Sequence, residues 1–225
     1  MAVAFVQYKY THVTSAAIVP TLTSNPTVGN LLVAMVTRDS AAGGFGIHAG
    51  WTQIDAVTGS QPGITAYRVV ASGDTTSNLP AIATGTDTVH ISCWEVSGQE
   101  SGAAAIAAHG MAGGSGSTLA VSATPSVANT LLLTGAGTTT TNLTTPPVSS
   151  PSTTFTTDQA NIAGSGGHEA AAAHSSYSGT SAITTTWTQS GNNNIRVAVV
   201  LVAPLVVVAN VDLTPSKFQL FDLIH

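Results

Sequence analysis

The histidines, carboxylates and single thiol of this chain are few, and their spacing limits what they can do. His168-Glu169 with His174 is the one histidine–glutamate cluster. A zinc-protease motif needs two histidines four apart on one helix face, with glutamate after the first. Here they stand six apart with alanines between them. On a strand, residues six apart share a face but are separated by about 20 Å, so the pattern does not describe a metal site. The acids Asp55, Asp74, Asp87, Glu95 and Asp158 are too few to mark a glycosidase pair, and sequence does not give the separations that would define one. Glu95, next to Trp94, reads as a hydrogen-bonded structural carboxylate. Gly114-Ser115-Gly116-Ser117 lies in a glycine-rich run without the strand-to-helix context of a nucleophile elbow. No Gly-Lys-Ser/Thr phosphate loop is present. Cys93 is the only cysteine, which excludes an intrachain disulfide, and its neighbours Ile91, Trp94 and Val96 suggest an inert buried thiol. Trp51, Trp94 and Trp187, with Tyr67 and Tyr177, would form a sugar-stacking platform if exposed. Each sits in an alternating apolar pattern, so a core role is preferred. The residues point to no catalytic group, no metal, no cofactor and no enzyme.

The elements that hold these residues read as strands. Ile195 to Val208 is the most apolar run, rich in valine, whose branched Cβ suits a pleated strand. Pro204 interrupts it, so a strand is expected from Ile195 to Ala203 with a break after it. Near-continuous apolarity implies cover on both faces and a central position. A membrane helix needs about 20 apolar residues, and Arg196, Pro204 and Asn210 leave too little room. Further strands are expected at Met1–Tyr10, Leu31–Thr37, Trp51–Val57, Ile64–Ala71, Thr88–Ser97, Thr118–Ala123, Thr130–Thr134, Thr153–Thr157, Ala170–Ser178 and Ile183–Thr188. Ser101–Ala108 is alanine-rich and suggests a short helix, Gly110–Ser117 a loop, and Thr138–Pro151 an extended or loop segment. Many short strands between Gly, Pro and Asn turns predict an all-β fold. The expected form is an antiparallel β-sandwich of jelly-roll type over residues 1–209, followed by a C-terminal arm over 210–225. Val28-Gly29-Asn30-Leu31-Leu32-Val33 echoes Val127-Ala128-Asn129-Thr130-Leu131-Leu132, and Tyr67 with Ser72-Gly73 echoes Tyr177-Ser178-Gly179. Generic likeness among antiparallel strands is the preferred account of both.

Composition narrows the function. Five Lys plus Arg and ten Asp plus Glu make up 7% of the 225 residues, for a net charge of −5. Nucleic-acid binding needs clustered cations, so it is not expected. Thr, Ser, Gly, Ala and Asn replace charge on a surface that lacks the usual guards of sheet edges. Such a surface suits a protein covered by copies of itself or by partners. The N-terminal residues carry no basic leader and apolar core, so no signal peptide is expected.

Several turn and strand motifs run in an order that resembles a known family. They are Gly29-Asn30-Leu31-Leu32-Val33, Gly50-Trp51-Thr52, Ala66-Tyr67-Arg68-Val69 with Ser72-Gly73-Asp74, and Trp94-Glu95-Val96-Ser97-Gly98. Asn129-Thr130-Leu131-Leu132-Leu133 and the closing valine-rich strand extend the match over Val28 to Ala203. The order resembles β-sandwich domains in structural proteins of tailed bacteriophages, including minor tail and capsid-decorating proteins, and in some bacterial surface proteins. The resemblance implies a fold and a virion setting, and carries over no catalytic residue.

The last stretch supplies the candidate docking residues. Leu213, Phe218, Leu220, Phe221, Leu223 and Ile224 lie in a segment too short to form a core alone. Burying each is favourable by about 1.5–3 kcal/mol. Two placements follow: an extra edge strand on its own sandwich, or an arm packed on a neighbour, the latter preferred because Pro204 and Pro215 break continuity with the closing strand. The sequence thus predicts a structural virion protein made in a host cytoplasm, most simply a capsid decoration protein. Its partners would be copies of itself and a major capsid or tail protein, without nucleic acid or membrane. A minor tail protein or a carbohydrate-binding adhesion module that takes a host surface glycan is the alternative.

Overall fold

A computed structural model describes residues 2–14, 17–38, 45–59, 61–84, 88–139, 142–163 and 168–206. The first half of the chain supplies β1 (Ala4–Val13), β2 (Ala17–Ile18), β3 (Leu31–Arg38), β4 (Thr52–Val57), β5 (Gly63–Val69), β6 (Ala83–Thr84) and β7 (Val89–Ser97). The second half supplies β8 (Ile106–Ser115), β9 (Thr118–Ala123), β10 (Thr130–Thr139), β11 (Leu143–Ser150), β12 (Thr156–Ala163), β13 (His168–Tyr177), β14 (Ile183–Gln189) and β15 (Asn194–Val202). All pairings are antiparallel.

Two five-stranded sheets form the middle of the molecule, ordered β1-β7-β3-β5-β4 and β12-β13-β10-β15-β8. Each is backed on its outer face by a smaller layer: β2-β6 behind the first, β11-β14-β9 behind the second. The antiparallel β-sandwich expected from the sequence is therefore present, with more layers than one pair of facing sheets. Among the described residues no helix is long and apolar enough to cross a membrane.

The apolar strands follow from this layering. A strand buried on both faces needs no polar alternation. In β3, Leu32, Ala34 and Val36 face the outer core with Ile18, Trp51, Ile64 and Ile82, while Leu31, Val33 and Met35 face the second large sheet. In β15, Val197, Val199 and Leu201 pack with Trp187 and Ile183 of the outer layer, and Ala198, Val200 and Val202 face the first large sheet. β15 lies between β10 and β8, so the central strand read from Ile195–Ala203 is where the sequence put it. β14, covered on one side only, alternates: Ile183, Thr185, Trp187 and Gln189 are buried, and Thr184, Thr186 and Thr188 are half-exposed.

The alanine- and glycine-rich stretch departs from expectation. Gly102–Ala105 is a single 3₁₀ turn, and the expected helix end and loop are both strand β8. Alanine favours helix only weakly, and here packing decides. A Cβ on Gly110 would lie 2.8 Å from the Ser122 carbonyl oxygen, and one on Gly113 would lie 2.5 Å from the Arg196 guanidinium. These glycines let backbone and side chain approach the strand closely. The threonine–proline segment also pairs, as β11.

Trp94 sits at the centre of the stack, 2% exposed, its ring 5.4 Å from that of Tyr8. Trp94→Ala leaves a cavity between two sheets that cannot collapse freely. It should lower stability by about 3–5 kcal/mol, read as a fall in the denaturation midpoint at unchanged m-value.

Candidate assembly surface

The side chains with chemical potential are placed by strand pleat, and the pleat separates them. On β13, Ala171 and Ala173 face the outer core and Ala172 faces the other large sheet. Glu169 shares the first face and His174 the second, so the two do not converge; the His168 side chain lies outside the described residues. Glu169 is buried, and its Oε2 has no hydrogen-bond partner among the described residues. His174 lies flat on Phe5, ring centroids 4.2 Å apart, and its Nδ1 is 2.6 Å from Asp158 Oδ1. Trp94 Nε1 donates to the other oxygen of Asp158 at 2.9 Å. A histidine held by an aspartate is part of a nucleophile-activating triad. Among the described residues no hydroxyl bonds to the His174 ring: Ser175 and Thr153 bond each other at 2.5 Å and the carbonyls beside them. Asp158 and His174 both belong to the second large sheet, and Trp94 and Phe5 fasten them to the first. The sequence did not show that Asp158 and His174 meet: Thr156 is the residue opposite His174, and Asp158 lies at the slip between Thr157 and Gln159.

Glu95, Asp74 and Asp55 hold the scaffold. Glu95 is fully buried and accepts from Gln7 Nε2 at 2.5 Å, Thr27 N at 2.8 Å and Asn30 Nδ2 at 2.6 Å. It ties the loop before β3 to the sheet, the structural role expected of it. Asp74 pairs with Arg68 at 2.6 Å and accepts from Ala71 N at 2.7 Å. Asp55 bonds His109 at 2.6 Å across the two halves of the chain. Asp87 lies outside the described residues. Among the described residues no three histidine, cysteine or acidic side chains gather as a metal site.

The tryptophans are core, as their patterns indicated. Trp51, Trp94 and Trp187 are 5%, 2% and 0% exposed. Trp51 Nε1 donates to the Pro80 carbonyl and Trp187 Nε1 to Thr134 Oγ1, each at 3.0 Å. Tyr177 is buried and donates to the Ser181 carbonyl at 2.9 Å. These rings offer no row of exposed faces.

What remains is an open groove of about 490 Å³ where β1 begins, β10 begins, β13 ends and the chain leaves β15. Val3, Asn129, Thr130, Tyr177, Pro204 and Leu205 line it, and none of its lining residues is charged. The departing chain is held at its rim. Leu205 N donates to the Gly98 carbonyl at 2.8 Å and Val206 N to Glu100 Oε1 at 2.6 Å, and Pro204 bridges Gln99. The sequence marked Pro204 as a break but not as the wall of a groove. The candidate docking residues Leu213, Phe218, Leu220, Phe221, Leu223 and Ile224 lie outside the described residues. A second cleft of about 410 Å³ is polar, lined by Thr153, Thr154, Thr156, His174, Ser175 and Ser176. No protein-family model, curated protein or solved structure matches the chain.

Burial pushes the Cys93 thiol up to about 12, with Glu95 adding to the effect. The raised value keeps the thiol protonated in the folded state while the unfolded thiol ionises near 8.5. The stability this confers is complete below that value and is lost as pH rises towards 12, at up to about 1.4 kcal/mol per pH unit. Folded protein should therefore resist thiol reagents at pH 8 until denatured. Cys93→Ala should flatten the fall of melting temperature above pH 9.

Proposed function

We propose that this chain is a structural protein of a tailed-bacteriophage particle, a capsid decoration protein that docks through its C-terminal segment. The observation that carries the reading is the delivery of the last strand to an uncharged groove, followed in sequence by six large apolar side chains. A solvated tail is ordinarily polar, and an extended segment with alternate anchors suits addition to a sheet edge or groove. The acids and histidines already occupied in holding layers together favour a scaffold over a catalyst. The charge-poor surface favours many weak neutral contacts repeated by symmetry. Copies of the chain and a major capsid or tail protein are the proposed partners, and the virion the proposed location.

Strand order adds an argument by analogy. A jelly roll pairs its first strand with the eighth, third and sixth in one sheet and its second with the seventh, fourth and fifth in the other. Counting Ile47, which bridges Ala83 of β6, each half follows this order except that its fifth strand joins the large sheet beside the sixth. We read both halves as jelly-roll variants, an architecture shared by viral capsid and lectin domains. Fold alone does not assign function. The polar, hydroxyl-lined cleft beside His174 supports the alternative, an adhesion module for a surface glycan.

Gold-labelled antibody on tailed particles from cells that make this chain tests the location. Label over the capsid is expected; label on the tail favours a minor tail protein, and unlabelled particles would sink the virion reading. Deleting Val211 to His225 should leave the melting temperature nearly unchanged yet abolish particle binding.

A further inference from the structure

The two halves share more than strand order. In the first, Val33 of β3 lies opposite Tyr67 and Trp94, Tyr67 opposite Thr52, and Trp94 opposite Tyr8. In the second, Leu133 of β10 lies opposite His174 and Val200, His174 opposite Thr156, and Val200 opposite His109. This one correspondence runs through all five strands of both sheets and makes Leu31 the equivalent of Leu131 and Val96 that of Val202. Two irregularities coincide as well, and one further slip in β12, between Gln159 and Ile162, has no counterpart in β4. β1 slips between Phe5 and Gln7, opposite Val96 and Glu95; β8 slips at the equivalent point, opposite Val202 and Leu201. β4 slips between Gln53 and Asp55, and β12 between the equivalent Thr157 and Gln159. A bulge adds an unpaired residue at one specific place, so two coincidences of this kind do not follow from strand likeness.

The equivalent residues also meet in space. A Cβ placed on Gly135 would lie 2.7 Å from Met35 Sδ, and one on Gly137 would lie 2.5 Å from Thr37 Oγ1. Val33 and Leu133 line one small void with Met35 and Gly135. A twofold axis along β3 and β10, between the sheets, brings each such residue onto its equivalent. It also sets β1 against β12 and β13, and β4 against β8, in agreement with the Phe5–His174 stack and the Asp55–His109 bond.

We infer that the chain is two copies of one unit, related by a pseudo-twofold axis between β3 and β10, whose facing surfaces have diverged so that each half fits the other and not a second copy of itself. On a true twofold axis a residue faces its own kind. Here Met35 faces Gly135 and Thr37 faces Gly137, large against absent on both occasions. First halves paired together would set Met35 against Met35, which overpacks. Second halves paired together would set Gly135 against Gly135, which leaves a void. The mismatch selects a first half against a second half over two like halves, so whole chains do not assemble by pairing like halves across this face.

The test is a size swap across the axis in the full chain. Met35→Gly and Gly135→Met should each lower the melting temperature by about 5 °C or more. The double variant M35G/G135M should recover more than half of the summed loss, because it restores one large and one absent side chain at equivalent places. A double variant that melts at or below the lower of the two single variants overturns the inference. Should Gly135→Met alone fail to fold, Thr37→Gly with Gly137→Thr is read by the same rule. Recovery in that pair supports the axis, and additive losses there overturn it.

Discussion

Everything in this molecule follows from two sheets that are apolar on both faces. A sheet with one apolar face needs one cover; β3, β7, β10 and β15 need two. The large sheets meet this requirement by covering each other, and the small outer layers cover what remains. With charge so scarce, the interior is held by apolar contact supplemented by a few shared protons. Those polar contacts lie where strands from different layers meet: Asp158 between His174 and Trp94, Asp55 with His109, and Thr134 between Trp187 and the Ala198 carbonyl.

This constraint explains which features were legible in the sequence. The runs Leu31–Thr37 and Ile195–Ala203 announced strands buried on both sides because Leu31–Val36 and Val197–Ala203 are apolar without a break. The three tryptophans announced core because each stood in an alternating pattern. What escaped was local composition overruled by neighbours. Gly110 and Gly113 look like loop residues until Ser122 and Arg196 are known to press on them. The echo between Val28–Val33 and Val127–Leu132 was visible but one residue out of step, since pairing makes Leu31 the equivalent of Leu131, not Thr130. Tyr67 likewise corresponds to His174 and not to Tyr177. Register is fixed by hydrogen bonds between strands, and a string of residues does not display it.

The candidate site was legible in part. Glu95 is structural and Cys93 buried, as their neighbours suggested, because both properties depend on the pleat of β7. The groove at the end of β15 was not legible, for it is formed by the starts and ends of four strands distant in sequence. Its lack of charge, however, was foreshadowed by the whole composition.

The exit of the chain has a mechanical consequence. β15 is clamped on both sides, by β10 and β8, and the residues after it are pinned to Gly98 and Glu100. A pull on the chain beyond Val206 runs along the axis of an interior strand. The two ladders flanking β15 then bear the load in shear, with many hydrogen bonds strained together, instead of unzipping one at a time as at a sheet edge. A tether attached beyond Val206 would act at the point where tension is hardest to convert into unfolding.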